Sequence, residues 1–252
     1  MKYIKPFQTD AVRSGMTKRR EAVQKYGDKH FGRSNKEMRR LGRFYVVGVD
    51  EVGRGPLAGP VTVCVVVCEE NLYKKLKRDK KLPKAGKDSK KLSPESREHY
   101  AKYLQTLLQK NRIDYIGVSY SYVVTHVSNT VIDTKGISFA IRKAIANGLR
   151  KLQLDPAKCD VRLDGSLKAP AEFTKQKTII KGDEREKIIA WASILAKVSR
   201  DSLMRRMSKK FPQYGFEIHK GYGTAKHRKT ILKYGISAVH RTSFCKFVLP
   251  CK

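Results

Sequence analysis

Acidic residues are scarce in this chain: 23 Asp and Glu stand against 55 Lys and Arg in 252 residues, a formal net charge of +32. A surface this basic repels itself unless it meets a polyanion, so the shortage of acid excludes a neutral housekeeping fold and makes nucleic acid the first partner to consider. Charge alone does not separate a nucleic-acid enzyme from a non-catalytic RNA-binding or ribosome-associated protein. Cysteine is sparse as well. Cys64, Cys68, Cys159, Cys245 and Cys251 are odd in number and none forms the C-x-x-C spacing of a zinc or redox site, so they read as reduced thiols of a cytoplasmic protein. Apolar runs stop well short of the roughly 18 residues that span a membrane, and the N-terminal stretch lacks the apolar segment of a secretory signal. Tryptophan occurs once, yet 12 Tyr, 9 Phe and 40% hydrophobic residues are enough for one globular core. A chain of this length buries roughly 70–75% of the surface its unfolded form exposes.

Residues 1–43 are rich in Lys and Arg with no sustained apolar period, and read as a basic extension preceding one domain over 44–252. Either it is a solvated tail, or it contacts phosphates, in which case binding depends steeply on salt. At Phe44 the character changes. Residues 44–50 are apolar and β-branched, a glycine-rich turn follows, and 60–67 is a second such run, which predicts two buried strands. The lysine-dense stretch 74–91 reads as an exposed loop. Ser93 and Pro94 open a helix whose Tyr100, Tyr103, Leu104, Leu107 and Leu108 recur at three and four residues. Further strands are expected over 115–120, 161–163 and 178–180, and helices over 137–152, 184–207 and 225–233. Strands alternating with helices give an α/β layer architecture.

The most informative segment is Gly48-Val-Asp50-Glu51-Val-Gly53-Arg54-Gly55-Pro56. Two carboxylates end a strand that is otherwise apolar, and ionised groups there must be paired or bound to a cation. Hard oxygen donors at a strand end suit Mg²⁺ or Mn²⁺; the plainer alternative is a turn-capping Asp50 with Glu51 in solvent. The Gly53-Arg54-Gly55 turn lacks the third glycine and following helix of a dinucleotide fingerprint, and no Walker A loop is present. It can still press backbone amides and a guanidinium against a nucleic-acid strand.

Asp164, followed by Gly165, repeats the strand-end carboxylate, although a plain turn would read the same way. Asp201 falls within about 20° of Ala190 and Ile194 on a helical wheel, which places it on the apolar side of the last long helix; the alternative is an ion pair with Arg205. Four inward carboxylates in a basic chain match phosphodiester hydrolysis with two metal ions about 4 Å apart. Lys90, Lys91, Lys181, Lys197 and Lys220 are candidates for phosphate contacts. Tyr222, set among glycines in a flexible basic connector, can stack on a sugar or base or pack back on the sheet. His219, His227 and His240 are not spaced like metal ligands and read as surface or hydrogen-bonding residues.

The segments 48–60, Asp88-Ser-Lys-Lys-Leu-Ser93, Asp164-Gly, Ala192-Ser-Ile-Leu-Ala-Lys-Val-Ser-Arg-Asp201, His219-Lys-Gly-Tyr-Gly-Thr224 and His240-Arg-Thr-Ser-Phe244 together resemble bacterial ribonuclease HII, in that family's order. Val52 stands where the family usually has Ala. The resemblance implies an RNase H-like fold, a central mixed β-sheet flanked by helices with a C-terminal helical segment. It implies a metal-dependent endoribonuclease that cleaves the RNA strand of RNA/DNA hybrids and incises 5′ of single ribonucleotides in duplex DNA, leaving 3′-hydroxyl and 5′-phosphate ends. Asp50, Glu51, Asp164 and Asp201 would be the catalytic, metal-binding carboxylates for Mg²⁺ or Mn²⁺. Gly53, Arg54 and Gly55 would read the 2′-hydroxyl, and Tyr222 would stack on the adjoining deoxyribose; of the candidate phosphate contacts, Lys90 and Lys197 are the ones expected to bind substrate. A monomer without an organic cofactor or membrane partner is expected.

Overall fold

The structure, a computed structural model, describes residues 44–82, 92–110 and 122–248, with side chains of the middle span through Leu107. The basic extension, the loop residues 83–91 with Lys90 and Lys91, the expected strand over 115–120 and Cys251 lie outside the described residues.

Five strands form one mixed sheet: β1 (Tyr45–Val52), β2 (Val61–Glu69), β3 (Tyr122–Val127), β4 (Cys159–Asp164) and β5 (Gln176–Ile179), in the order β3-β2-β1-β4-β5. β1 runs antiparallel to β2 and parallel to β4. Both apolar runs are central strands covered on both faces, which is why they read as continuous rather than alternating. On one face Val47, Val49, Val63, Val65 and Val161 pack against Ile141, Ile145 and Leu149 of α4 (Ile137–Leu152). On the other, Val46, Cys64 and Val66 meet Ile188, Trp191, Ala192 and Leu195 of α6 (Lys187–Lys210). The approach of α6 is close at Gly48, where a Cβ would lie 2.6 Å from the carbonyl carbon of Ile188. A third core joins Leu57, Met204, Tyr214, Phe216 and Ile231, and carries the C-terminal helices α7 (Phe216–His219) and α8 (Ala225–Tyr234).

Three expectations change. The start of the supposed loop 74–91 is helical: α1 (Glu70–Leu76) forms because Tyr73 and Leu76, three residues apart, both bury, and Leu82 buries beyond it. β3 and the short α3 (Asn129–Lys135) were not legible, since neither shows a clean period. The expected helix 184–207 is two pieces, α5 (Gly182–Arg185) and α6, parted at Glu186 with φ −126° and ψ 115°. Glu186 is drawn off the helical path by Arg162, 3.0 Å away, and by the Tyr73 hydroxyl. The helix α2 (Pro94–Lys110) starts where expected, its first turn closed by the Ser96 amide donating to Ser93 Oγ at 3.1 Å. Among the described residues, no helix is long and apolar enough to cross a membrane.

Candidate active site

The parallel pairing of β1 with β4 builds the acidic centre. Val49 is in register with Leu163, so Asp50 and Asp164 emerge side by side at the carboxyl ends of neighbouring strands, on the face covered by α6. Carboxylate oxygens of Asp50, Glu51 and Asp164 all lie within 4.8 Å of one another. Asp50 is 5% exposed; its Oδ1 accepts from the Glu51 amide at 2.7 Å, and the Ser193 hydroxyl of α6 bonds to it as well. Asp164 Oδ1 accepts from the Gly182 amide at 2.6 Å.

Burial, with the charges of Asp164 and Glu51 adding to it, pushes the Asp50 carboxyl well above the usual carboxylate range, despite the bonds from Ser193 and the Glu51 amide. Burial likewise raises Glu51, opposed by Arg54, whose Nε lies 3.2 Å from Glu51 Oε1. Three crowded, partly desolvated carboxylates are electrostatically incomplete as they stand, and hard oxygen donors are what a hard divalent cation takes. The donor set fits such an ion.

Asp201 is not part of that cluster. It lies on α6 with a 13% exposed side chain and is paired with Lys197 Nζ at 2.8 Å, one helical turn earlier. The expected alternative partner, Arg205, is instead held by Glu98 at 2.7 Å.

The Gly53-Arg54-Gly55 turn follows directly on β1. Gly53 has φ +91°, and a Cβ there would sit 2.8 Å from Arg200 Cδ, so the position needs glycine. Arg54 and Gly55 are exposed, and around Gly55 there is open space. Tyr222, 40% exposed, lies with its ring centroid 5.8 Å from the Arg200 guanidinium.

Two features escaped the sequence. Arg200 and Arg241 are completely buried with no carboxylate partner among the described residues; their guanidinium groups donate to main-chain carbonyls. Burial, and then the neighbouring Arg200 cation, lower Arg241 to about 10. The second feature is the histidine set, which is interior rather than superficial. The Ser237 amide donates to His240 Nδ1 (2.9 Å), which leaves the neutral ring's proton on Nε2 for His227 Nε2 (3.1 Å); His227 Nδ1 then donates to the Tyr222 carbonyl (2.9 Å). His219 stacks on His227 at 4.1 Å and accepts from the Gly221 amide at 3.2 Å. The segment bearing Tyr222 is thus pinned, not a flexible connector. Arginine in an HRTSF run and scattered histidines give no periodicity from which burial could be read.

The model of the family described as Ribonuclease HII matches residues 47–247. The chain belongs to the ribonuclease HII family. Ribonuclease HII of Caldicellulosiruptor bescii is 38% identical over 222 residues, 88% of this chain and 97% of that protein. The Clostridioides difficile enzyme is 40% identical over 209 residues, 82% of this chain and 72% of its own length. Among solved structures, the ribonuclease HII of Archaeoglobus fulgidus, determined in complex with PCNA, superposes with a TM-score of 0.57 at 24% identity over 81% of this chain and 95% of that one. Bst-RNase HIII in complex with Mn²⁺ gives 0.54 at 17% identity, covering 83% and 70%. These two likenesses establish the RNase H-like fold. As a ribonuclease HII, the chain is a metal-dependent endoribonuclease that hydrolyses the RNA strand of RNA/DNA hybrids; the purely binding alternative falls away.

Proposed function

We propose that this ribonuclease HII incises 5′ of single ribonucleotides embedded in duplex DNA, with Asp50, Glu51, Asp164 and Asp201 as the metal-binding carboxylates and two ions engaged during hydrolysis. The observation that carries the reading is the close grouping of Asp50, Glu51 and Asp164 beside the Gly53-Arg54-Gly55 turn, whose Arg54 and Gly55 are exposed. Divalent ions, Mg²⁺ or Mn²⁺, would supply an activated water and charge stabilisation for the departing 3′ oxygen, consistent with 3′-hydroxyl and 5′-phosphate products.

The chain's own residues supply position and selection. Asp50, fixed by Ser193 and the Glu51 amide, and Asp164, fixed by the Gly182 amide, present their remaining oxygens to one spot. The backbone of Gly53, Arg54 and Gly55 reads the 2′-hydroxyl, the group that tells RNA from DNA. Tyr222 stacks on the adjoining deoxyribose, and Lys197 and Lys90 contact phosphates. The enzyme acts as a cytoplasmic monomer with no organic cofactor, and residues 1–43 are an appendage to the catalytic domain 44–252.

The test is cleavage of labelled duplex DNA carrying one ribonucleotide, with Mg²⁺, Mn²⁺ or EDTA, beside an all-DNA duplex. A metal-dependent nick on the 5′ side of the ribonucleotide is expected, absent from the all-DNA control. Cleavage of long hybrids without any nick at a lone ribonucleotide would remove the junction-reading function.

A further inference from the structure

We infer that Arg241 is a positioning residue for 2′-hydroxyl recognition: from behind the Gly53-Arg54-Gly55 turn it grips two successive carbonyls and so aims the amides of Arg54 and Gly55 outward as paired donors. The inference rests on the proposed role of that turn.

Arg241 Nη2 donates to the Gly53 carbonyl at 2.6 Å and Nη1 to the Arg54 carbonyl at 2.9 Å, while Nε holds Gly59 at 3.0 Å. In a trans peptide the C=O and N–H point in opposite directions. Two carbonyls drawn inward to one guanidinium therefore turn the Arg54 and Gly55 N–H groups away from it. Both residues are exposed, and among the described residues neither amide donates to a partner. Consecutive outward amides form a concavity suited to an oxygen acceptor. A buried cation bonded to the far end of the same peptides also polarises them toward better donation.

The main chain holds Arg241 in place. Its amide donates to the Leu57 carbonyl at 2.7 Å, and Gly59 donates to Val239 at 2.8 Å, so the strand-like 239–241 segment runs along 57–59. On its other side, Asp133 of α3 accepts from the Thr242 and Ser243 amides, each at 3.0 Å. Lysine cannot replace this geometry: a single ammonium is a point donor, whereas the guanidinium fork reaches the carbonyls in a fixed plane.

The experiment measures affinity, in EDTA so that nothing is cut, for a duplex with one ribonucleotide and for the same duplex in all-DNA form. Wild type, Gly53→Ala and Arg241→Lys are compared at a temperature where circular dichroism shows each folded. Wild type prefers the ribonucleotide duplex. Arg241→Lys keeps its all-DNA affinity and loses about tenfold of the preference, as expected when two hydrogen bonds are misaligned; Gly53→Ala loses it too. If Gly53→Ala retains the preference, the turn does not read the 2′-hydroxyl and both readings fall. If Gly53→Ala loses it while Arg241→Lys does not, the turn stands and the role of Arg241 is overturned. Equal loss of both affinities in Arg241→Lys makes the residue merely structural and overturns the inference as well. Should Arg241→Lys not fold, Asp133→Ala, which frees the tether beside Arg241, decides in its place: reduced preference at unchanged all-DNA affinity supports the inference, and full preference overturns it.

Discussion

Asp50 lies near the carboxyl end of β1, which is apolar up to that point, in a place where an ionised group is costly without a cation. The consequence for activity is direct: Asp50→Asn should lower cleavage by roughly a thousandfold, about 4 kcal/mol of lost charge stabilisation, while duplex binding measured by fluorescence anisotropy persists. The consequence for stability has the opposite sign. Because burial holds the Asp50 carboxyl above its ordinary range, the carboxylate form favours the unfolded chain at neutral pH, where it is fully hydrated. In EDTA, Asp50→Asn should therefore melt higher than wild type by on the order of 1 kcal/mol, and saturating Mg²⁺ or Mn²⁺ should raise the melting temperature of wild type but scarcely that of the variant. A wild-type melting temperature indifferent to both ions would argue against ion binding at this cluster. Legibility differed among the residues: Asp50, Glu51 and Asp164 could be read from strand-end position, because a charge closing an apolar run is itself informative. Asp201 could be read only as a helix-face carboxylate, and its partner Lys197 only from the structure.

At the level of elements, the junction between β1 and α6 and the histidine-pinned segment make separate demands. Gly48 lets the α6 backbone press against β1, so Gly48→Ala should destabilise the fold by about 1–3 kcal/mol through overpacking, seen as a lower urea midpoint at unchanged slope. The C-terminal helices depend on neutral histidines. Burial lowers His227 to about 4, and burial with the nearby His227 lowers His240 to about 4. Between that value and the ordinary histidine range near 6.5 the unfolded chain binds more protons than the folded one, so stability is full above about pH 6.5 and falls as pH drops toward 4, by on the order of 3 kcal/mol. The His240→Asn variant should flatten that slope in melting temperature against pH. A protonated His227 would keep its Nδ1 bond to the Tyr222 carbonyl but set two donors face to face across the 3.1 Å contact with His240, so the packing behind Tyr222 should loosen and substrate binding weaken over the same range. The sequence offered the helices 137–152 and 225–233 through their periods, but could not offer the break at Glu186, because it depends on Arg162 and Tyr73 from distant parts of the chain.

For the whole molecule, a charge of +32 means that much of the substrate affinity is counterion release, with the logarithm of the binding constant falling by roughly 0.9 per phosphate contact for each log unit of salt. If residues 1–43 contact phosphates, deleting them should shallow that slope measurably while leaving cleavage at low salt near the full-length rate; an unchanged slope would identify a plain solvated extension. The amino-acid sequence by itself determined the α/β class, the two central strands, the strand-end carboxylates and, through six ordered motifs, the ribonuclease HII family. These are local properties, written in runs and spacings a few residues long. Only the tertiary structure decided that Asp50 and Asp164 are neighbours, since a parallel pairing joins strands more than a hundred residues apart. It alone also decided that Arg200 and Arg241 are interior. A buried cation is permitted only when enough acceptors converge on it, and here those acceptors are backbone carbonyls, of Ala58, Pro60 and Lys220 around Arg200 and of Gly53, Arg54 and Gly59 around Arg241, groups that every sequence carries and no sequence pattern locates.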